Sequence, residues 1–481
     1  MEFGHRGMDI VKAVLAAVLT AALVYIGNGL TPHWPAMWLA PLPVMLFALA
    51  SPGWQAGVVA FVAWLAGCTN LWHYFDVLNM PHSAWFGACG MVAAVFTVGV
   101  LLMRFLARRG RLWSAWLALP AVWTSYEFVR NFVWPHGSAS SIAYSQLNFL
   151  PFLQTASLTG PWGMAFVLML LPSGVALEIG FRKTERTQAM RVMGTAVGVV
   201  AALAVFGAIR LAVGQGGPVV KVGLMVSDSN GGSSLEEAGE PTQRLFTSYA
   251  EQARRLIGQG AQVVVMPEDM GIVMDSTVAA VDGVFQPVAD QSGAVLVVGM
   301  TRRGADGRHN EARVYEAGQA PRTYAKEHLL PPYETSHFTP GTQRTMFAAP
   351  GKGNGTWAVA ICKDLDFTNP AQAYGQAGVG LMLTPAWDFS VDGFWHGHIA
   401  VMRAVEDGFS LVRTARDGLL TVTDDRGRVL AETGSSGTPF ATLLATVPTG
   451  HNWTLFQLLG DWFGWCALGV LVAVVWRAAH G

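Results

Sequence analysis

Long apolar runs fill the first 213 positions of the chain and return once near its C-terminus. Eight of them reach or approach the roughly 20 apolar residues a helix needs to cross a hydrocarbon core. They span 10–26, 34–50, 54–75, 84–106, 112–130, 150–178, 191–213 and 455–476. Pro35, Pro41 and Pro43 interrupt the second, which a membrane bundle tolerates because neighbouring groups satisfy the freed backbone. Between 214 and 454 the pattern changes. Short β-branched runs (Val219–Val226, Gln262–Met266, Ala294–Met300, Thr356–Ile361, Val379–Thr384, Ser410–Thr414, Thr421–Thr423) alternate with helical stretches at Thr242–Gly258, Ala279–Ser292, Pro370–Ala377 and Trp395–Gly408. Such alternation predicts an α/β domain able to bury its own core. The expected organisation is therefore a bundle over 1–213, a Gly-rich linker Gly214–Pro218 opening a domain over 214–454, and a last span in 455–481.

Composition agrees with a membrane protein, since 52% of residues are hydrophobic and only 13% charged. Basic residues orient the bundle, because short Lys- and Arg-rich loops stay cytoplasmic. Arg104, Arg108, Arg109 and Arg111 lie between the fourth and fifth runs, and Arg182, Lys183, Arg186 and Arg191 between the sixth and seventh. Both loops are expected inside, with both termini cytoplasmic and the large domain on the far face. The first run lacks a small-residue cleavage site and reads as a span rather than a removable signal. A net charge of −1, without a basic stripe outside the cytoplasmic loops, speaks against a nucleic-acid partner. Neither a phosphate-binding glycine loop nor paired Cys/His metal spacing is found, so no cofactor and no metal are expected.

Candidate chemistry sits at strand ends of the large domain. Glu268 follows Val-Val-Val-Met-Pro, Lys326 follows Tyr-Ala, and Cys362 follows Val-Ala-Ile. A run of this kind presents the next side chain in a cleft. Cys362 is the only cysteine expected in that domain, as Cys68, Cys89 and Cys466 fall in spans. A lone thiol is also consistent with a small core residue, and Glu268 with Lys326 is consistent with an ordinary surface ion pair. Together, a base, a cation and a thiol are the parts needed to make and cleave a thioester.

The order Glu268, Lys326, Cys362 resembles the nitrilase, or carbon–nitrogen hydrolase, superfamily. The membrane half resembles one branch of it, the apolipoprotein N-acyltransferases, through Leu119-Pro120-Ala121-Val122-Trp123 with Glu127 and Arg130, Tyr144-Ser145-Gln146, and Leu153-Gln154 with Ser157 and Gly160. Asn310, Tyr324-Ala325-Lys326, Pro331, Glu334, Phe338 to Gly341, and Arg403 with Glu406 follow the same branch in the soluble half. Departures occur at Cys362-Lys363-Asp364, where that branch carries Cys-Tyr-Glu, and at Leu383-Thr384-Pro385-Ala386-Trp387-Asp388, where it carries Ser-Asn-Asp-Ala-Trp-Phe. Both lean toward the soluble amidases of the superfamily.

The resemblance implies a multi-pass α-helical membrane bundle carrying an extracytoplasmic α/β domain, an α-β-β-α sandwich. It implies Cys362 as nucleophile, Glu268 as base and Lys326 as oxyanion donor. Glu334 and Asp364 would be supporting carboxylates, and Trp387 would line an acyl pocket. Lys363 is expected to face away from the thiol, because adjacent residues on an extended segment point to opposite faces. Glu127 and Arg130 are expected to hold the domain or a lipid headgroup. The implied reaction moves a fatty acyl group from a phospholipid donor, through a Cys thioester, to the amine of a diacylglyceryl-cysteine lipoprotein, in the bacterial inner membrane with the catalytic domain in the periplasm. An amidase or acyltransferase for another lipid-linked amine or amide is the second reading, and an inactive scaffold the third. The segments Trp387–Trp395 and His451–Phe456 are candidates to dip into the membrane interface.

Overall fold

The computed structural model describes residues 2–214, 217–228, 239–350, 355–437 and 439–480, so linker positions 215 and 216 lie outside the described residues. Contacts divide the chain into two units, 1–134 with 140–212 and 461–481, and 135–139 with 213–460.

In the first unit, six helices among the described residues are long and apolar enough to cross a membrane: Ile10–Gly27, Gly53–Val77, His82–Ala107, Ala156–Phe181, Arg186–Ala212 and Trp462–Ala479. Three of the expected spans differ. The run 34–50 forms two short helices, Trp34–Leu39 and Leu42–Ala50, because Pro41 caps the second rather than continuing the first. Leu112–Val133 is a single helix of 22 residues, but its polar content, including buried Glu127, leaves it outside the strongly apolar set. The final helix starts at Trp462, because Gly460 at φ 60° breaks the chain after a short helix Leu455–Leu459 that belongs to the second unit. Glu127 is spoken for within the bundle unit. It accepts from Trp123 Nε1 at 2.8 Å, Ser141 Oγ at 2.6 Å and the Ile142 amide at 2.9 Å. That is the arrangement of a buried carboxylate closing a loop, so the expected headgroup or domain contact is replaced by a structural one.

The second unit contains thirteen strands among the described residues: β1 Val219–Val226, β2 Val263–Val265, β3 Ile272–Met274, β4 Val295–Gly304, β5 Gly307–Tyr315, β6 Arg322–Ala325, β7 Thr345–Ala348, β8 Thr356–Val359, β9 Val379–Trp387, β10 Ser410–Arg416, β11 Leu419–Thr423, β12 Val429–Gly434 and β13 Ala441–Pro448. One sheet runs β13-β1-β2-β4-β5-β6 with β3 beside β4, and the other β12-β11-β10-β9-β8-β7. Side chains alternate between faces with a period of two. Val220, Val222 and Leu224 of β1, Val263 and Val265 of β2, Val359 of β8, Leu381 and Leu383 of β9 and Val412 of β10 fill the layer between the sheets. Val264 of β2 points the other way, into a core with Phe246, Tyr249, Phe285 and Val288 from helices Glu240–Gly258 and Val278–Ser292. Met382 and Leu411 do the same on the second sheet, against Tyr374, Val401 and Ala404 of helices Thr368–Gln376 and Gly393–Asp407. The result is an α-β-β-α sandwich, with helices on the two outer faces.

Candidate active site

Parallel strands β2, β8 and β9 end on the residues that sequence patterning singled out. Glu268 lies three residues past β2, and its amide donates to the Ala386 carbonyl of β9 at 3.3 Å, tying the two sheets together. The neighbouring strand approaches so closely that a Cβ on Gly299 would lie 2.1 Å from the Pro267 carbonyl oxygen. Glycine at 299 is thus what lets β4 hold the Pro267-Glu268 turn.

Lys326 follows β6 and is buried. Its Nζ lies 2.7 Å from Glu268 Oε1 and 3.1 and 2.9 Å from the two oxygens of Glu334. Asn310 on β5 donates to the same carboxylates, at 2.6 Å to Glu268 and 2.8 Å to Glu334, and the Leu330 amide holds Glu334 at 2.7 Å. One ammonium is therefore shared by two carboxylates. Burial pushes the Glu268 carboxyl above its ordinary range; Lys326 opposes that, and Glu334 adds to it. Burial would neutralise Lys326, yet the facing carboxylates and the thiol hold it well above the usual lysine value, as a cation. Glu268 Oε2 is buried without a hydrogen-bond partner among the described residues.

Cys362 stands two residues beyond Ala360, at the start of a 3₁₀ turn, Cys362–Asp366. Its φ of 44° is unusual for a side chain of this size and marks a sharp strand-to-helix turn that thrusts the thiol forward. The Sγ reaches the Trp387 carbonyl at 3.5 Å. Burial raises the thiol well above its ordinary value and Glu268 adds to this, while Lys326 and Arg413 pull it down. Burial thus disfavours the thiolate, and a base is needed to take the proton.

Asp364 is taken up in bracing the turn. Its Oδ2 accepts from the Tyr324 hydroxyl at 2.7 Å and the Ile361 amide at 3.0 Å, and its Oδ1 from the His328 amide at 2.8 Å. This carboxylate stitches the nucleophile turn to the segment carrying Lys326. Lys363 turns to His136, donating from Nζ to Nδ1 at 3.2 Å, and its Nζ is 3.8 Å from Asp366. Segment 135–139, set in sequence between two bundle helices, belongs to this unit. Ser138 donates from its amide at 3.1 Å and from Oγ at 2.7 Å to the Asp366 carbonyl. The Trp387 indole donates to Asp417 at 2.9 Å, and Arg416 lies over its ring at 4.3 Å.

A second charged cluster went unrecognised in the sequence. Arg413 of β10 forks onto Asp388 at 2.9 and 2.5 Å. His396 lies 3.4 Å from Asp388, 3.4 Å from Asp366 and 3.5 Å from Asp392. Burial would lower the imidazole, but these carboxylates raise it to about 10. Cys362, Asp388 and His396 place metal-competent atoms within 4.8 Å of one another. Both oxygens of Asp388 are already occupied by Arg413. Asp388 and His396 occur together after Trp387, which was the one available signal. Arg403 and Glu406 pair within one helix at 2.9 Å, buried.

An α-β-β-α sandwich with a buried carboxylate, ammonium and thiol converging at its strand ends, in a chain with membrane-length helices, defines a membrane protein built like an acyl-transfer or amide-cleaving enzyme. Residues 15–173 match the family model described as the apolipoprotein N-acyltransferase N-terminal domain. Two proteins called apolipoprotein N-acyltransferase are similar over nearly their full lengths. That of Geobacter metallireducens is 25% identical, covering 96% of this chain and 94% of its own. That of Bradyrhizobium diazoefficiens is 26% identical, covering 97% and 96%. The chain is thus apolipoprotein N-acyltransferase-like in both halves. Among solved structures, a cysteine-to-alanine variant of an amidase of the nitrilase superfamily from Nesterenkonia is 23% identical, with a TM-score of 0.40, over 49% of this chain and 93% of that one.

Proposed function

We propose that this protein transfers a fatty acyl group from a membrane phospholipid to the α-amino group of a diacylglyceryl-cysteine lipoprotein, by way of a thioester on Cys362. The observation that carries the chemistry is the division of labour at Glu268. One of its oxygens is occupied by Lys326 and Asn310, and the other is buried and unpaired. In this reading Oε2 takes the thiol proton as sulfur attacks the ester carbonyl. Lys326 faces the oxygen that gains charge and donates to it. Collapse of the tetrahedral intermediate expels the lysophospholipid alkoxide, which takes the proton from Glu268. The neutral amine then attacks the thioester carbonyl and gives up a proton to Glu268 as the C–N bond forms, and collapse to the amide breaks the C–S bond and expels the Cys362 thiolate, which takes that proton back from Glu268. Glu334 keeps Lys326 charged and oriented throughout.

The likeness to proteins called apolipoprotein N-acyltransferases supports the acceptor, and the basic loops at 104–111 and 182–191 support a bacterial inner-membrane setting with the catalytic unit on the far, periplasmic face. The departure at Asp364 says little about substrate, since its oxygens are used in bracing the turn. The test is intact-protein mass spectrometry after incubation with phospholipid alone. An acyl adduct on Cys362 with one lysophospholipid released per site is expected, discharged as an N-acylated product when a diacylglyceryl-cysteine peptide is added. Rapid loss as free fatty acid that ignores the peptide would make the protein a hydrolase.

A further inference from the structure

The segment Trp453–Leu459 has its polarity inverted. Thr454 donates from its hydroxyl to the Glu406 carbonyl inside the sandwich unit. Gln457 is fully buried and donates to the Gly375 carbonyl at 2.6 Å, while its own carbonyl accepts from Gln372 and Gln376 at 3.1 and 2.9 Å. Phe456 is the one large apolar residue of the segment that is buried. Trp453, Leu455, Leu458 and Leu459 point outward, 64%, 40%, 58% and 56% exposed. A segment solvated by water places its amides out and its leucines in. Here the amide is locked into the domain and the leucines are presented to the surroundings.

The chain states what those surroundings are. Leu459 precedes the membrane-length helix Trp462–Ala479 by three residues. At three extended residues this is at most about 10 Å of chain. Where the chain enters the same unit, exposed Val219 pairs with Pro448 at the end of β13, a few residues before Trp453. Both junctions between the sandwich and a membrane helix thus carry outward apolar side chains. The other candidate segment, Trp387–Trp395, differs, since Asp388 and Asp392 are buried and its aromatic residues are at least half-covered.

We infer that Trp453–Leu459 is an interfacial anchor lying in the outer leaflet, its leucines among acyl chains and Trp453 at headgroup level. The partner is the lipid surface itself, and the inference rests on the membrane setting rather than on acyl transfer. Its test reads depth and needs no turnover. In full-length protein carrying Cys466→Ser, which removes the exposed thiol, a nitroxide is placed at Leu458→Cys or Leu455→Cys, and for reference at Arg254→Cys on the exposed face of helix Glu240–Gly258. The protein is reconstituted in phosphatidylethanolamine and phosphatidylglycerol vesicles. Collision with oxygen should be high at 455 and 458, and collision with a water-soluble nickel chelate several-fold below that at 254. Chelate access equal to that at 254 would put the segment in water and overturn the anchor. Shielding from both probes would mean protein cover, by a bundle helix or a second copy, and would overturn it equally. Loss of acyl transfer with the depth signature intact would strike the proposed function and leave the anchor standing.

Discussion

Two buried charge clusters flank Cys362, and they differ in one respect that matters. In the cluster of Arg413, Asp388, His396 and Asp366, each charge has an opposite partner within 3.5 Å. Around Lys326, two carboxylates compete for one cation, and an oxygen of Glu268 is left over. Burial penalises both clusters, but only the second keeps a basic oxygen unspent. Closed networks hold a shape, whereas an open one stores the capacity to take a proton.

The sharpest test of that contrast removes the thiol. Cys362→Ala and Cys362→Ser should abolish acyl transfer with the fold retained, read as turnover alongside thermal unfolding. Near-normal turnover in either would exclude Cys362 as nucleophile. Next in size, Glu268→Gln should lower the acylation rate by about 10²–10⁴-fold, again with little change in unfolding temperature. On the closed side, Asp388→Ala should act on stability first. It leaves Arg413 without the carboxylate it forks onto, at a cost of about 3–5 kcal/mol, visible as a lowered unfolding midpoint before any kinetic analysis. If the catalytic-side variants unfold and Asp388→Ala does not, the distinction between open and closed clusters fails.

A smaller effect is expected from pH. Folding holds the His396 pKa up near 10, so its stabilisation is complete below the ordinary histidine value of about 6.5 and is lost as pH rises through about 10. Burial works against Asp366, but His396 and Lys363 hold its pKa down at about 2. Its contribution is complete above the usual aspartate value of about 3.9 and is lost as pH falls through about 2. Stability from the closed cluster should therefore be greatest between those two ordinary values. Acylation should instead fall as pH drops through a Glu268 pKa lying above the common glutamate range. Iodoacetamide labelling and thermal melts across pH separate the two profiles.

Much of this was legible in the chain. The inner strands β1, β2, β4 and β9 are apolar on both faces and announce themselves, and Glu268 and Cys362 were found because they follow such runs. Strand β5 was hidden, since it reads Gly-Arg-His-Asn-Glu-Ala-Arg-Val-Tyr. Its charges are satisfied across space, Glu311 by Arg302 and Arg313 by Asp282, and no local pattern encodes such partners. Arg413 and His396 escaped for the same reason. Asp364 was found, but not its job, because two of its three donors, Tyr324 and His328, reach it from a segment some forty positions away.

The clasp of residues 135–139 on the nucleophile turn has a consequence for how the protein is made. Ser138 and the carbonyl of Asp366 are 228 positions apart, and Gly137, at φ 51°, sits so close to Phe367 that a Cβ would come within 2.8 Å of its ring. At synthesis rates of about 5–20 residues per second, the early half of this clasp waits on the order of ten to fifty seconds for its partner to be translated. A gene fragment cut at the apparent domain border would never supply that half, and the turn that aims the thiol would be left to find its shape alone.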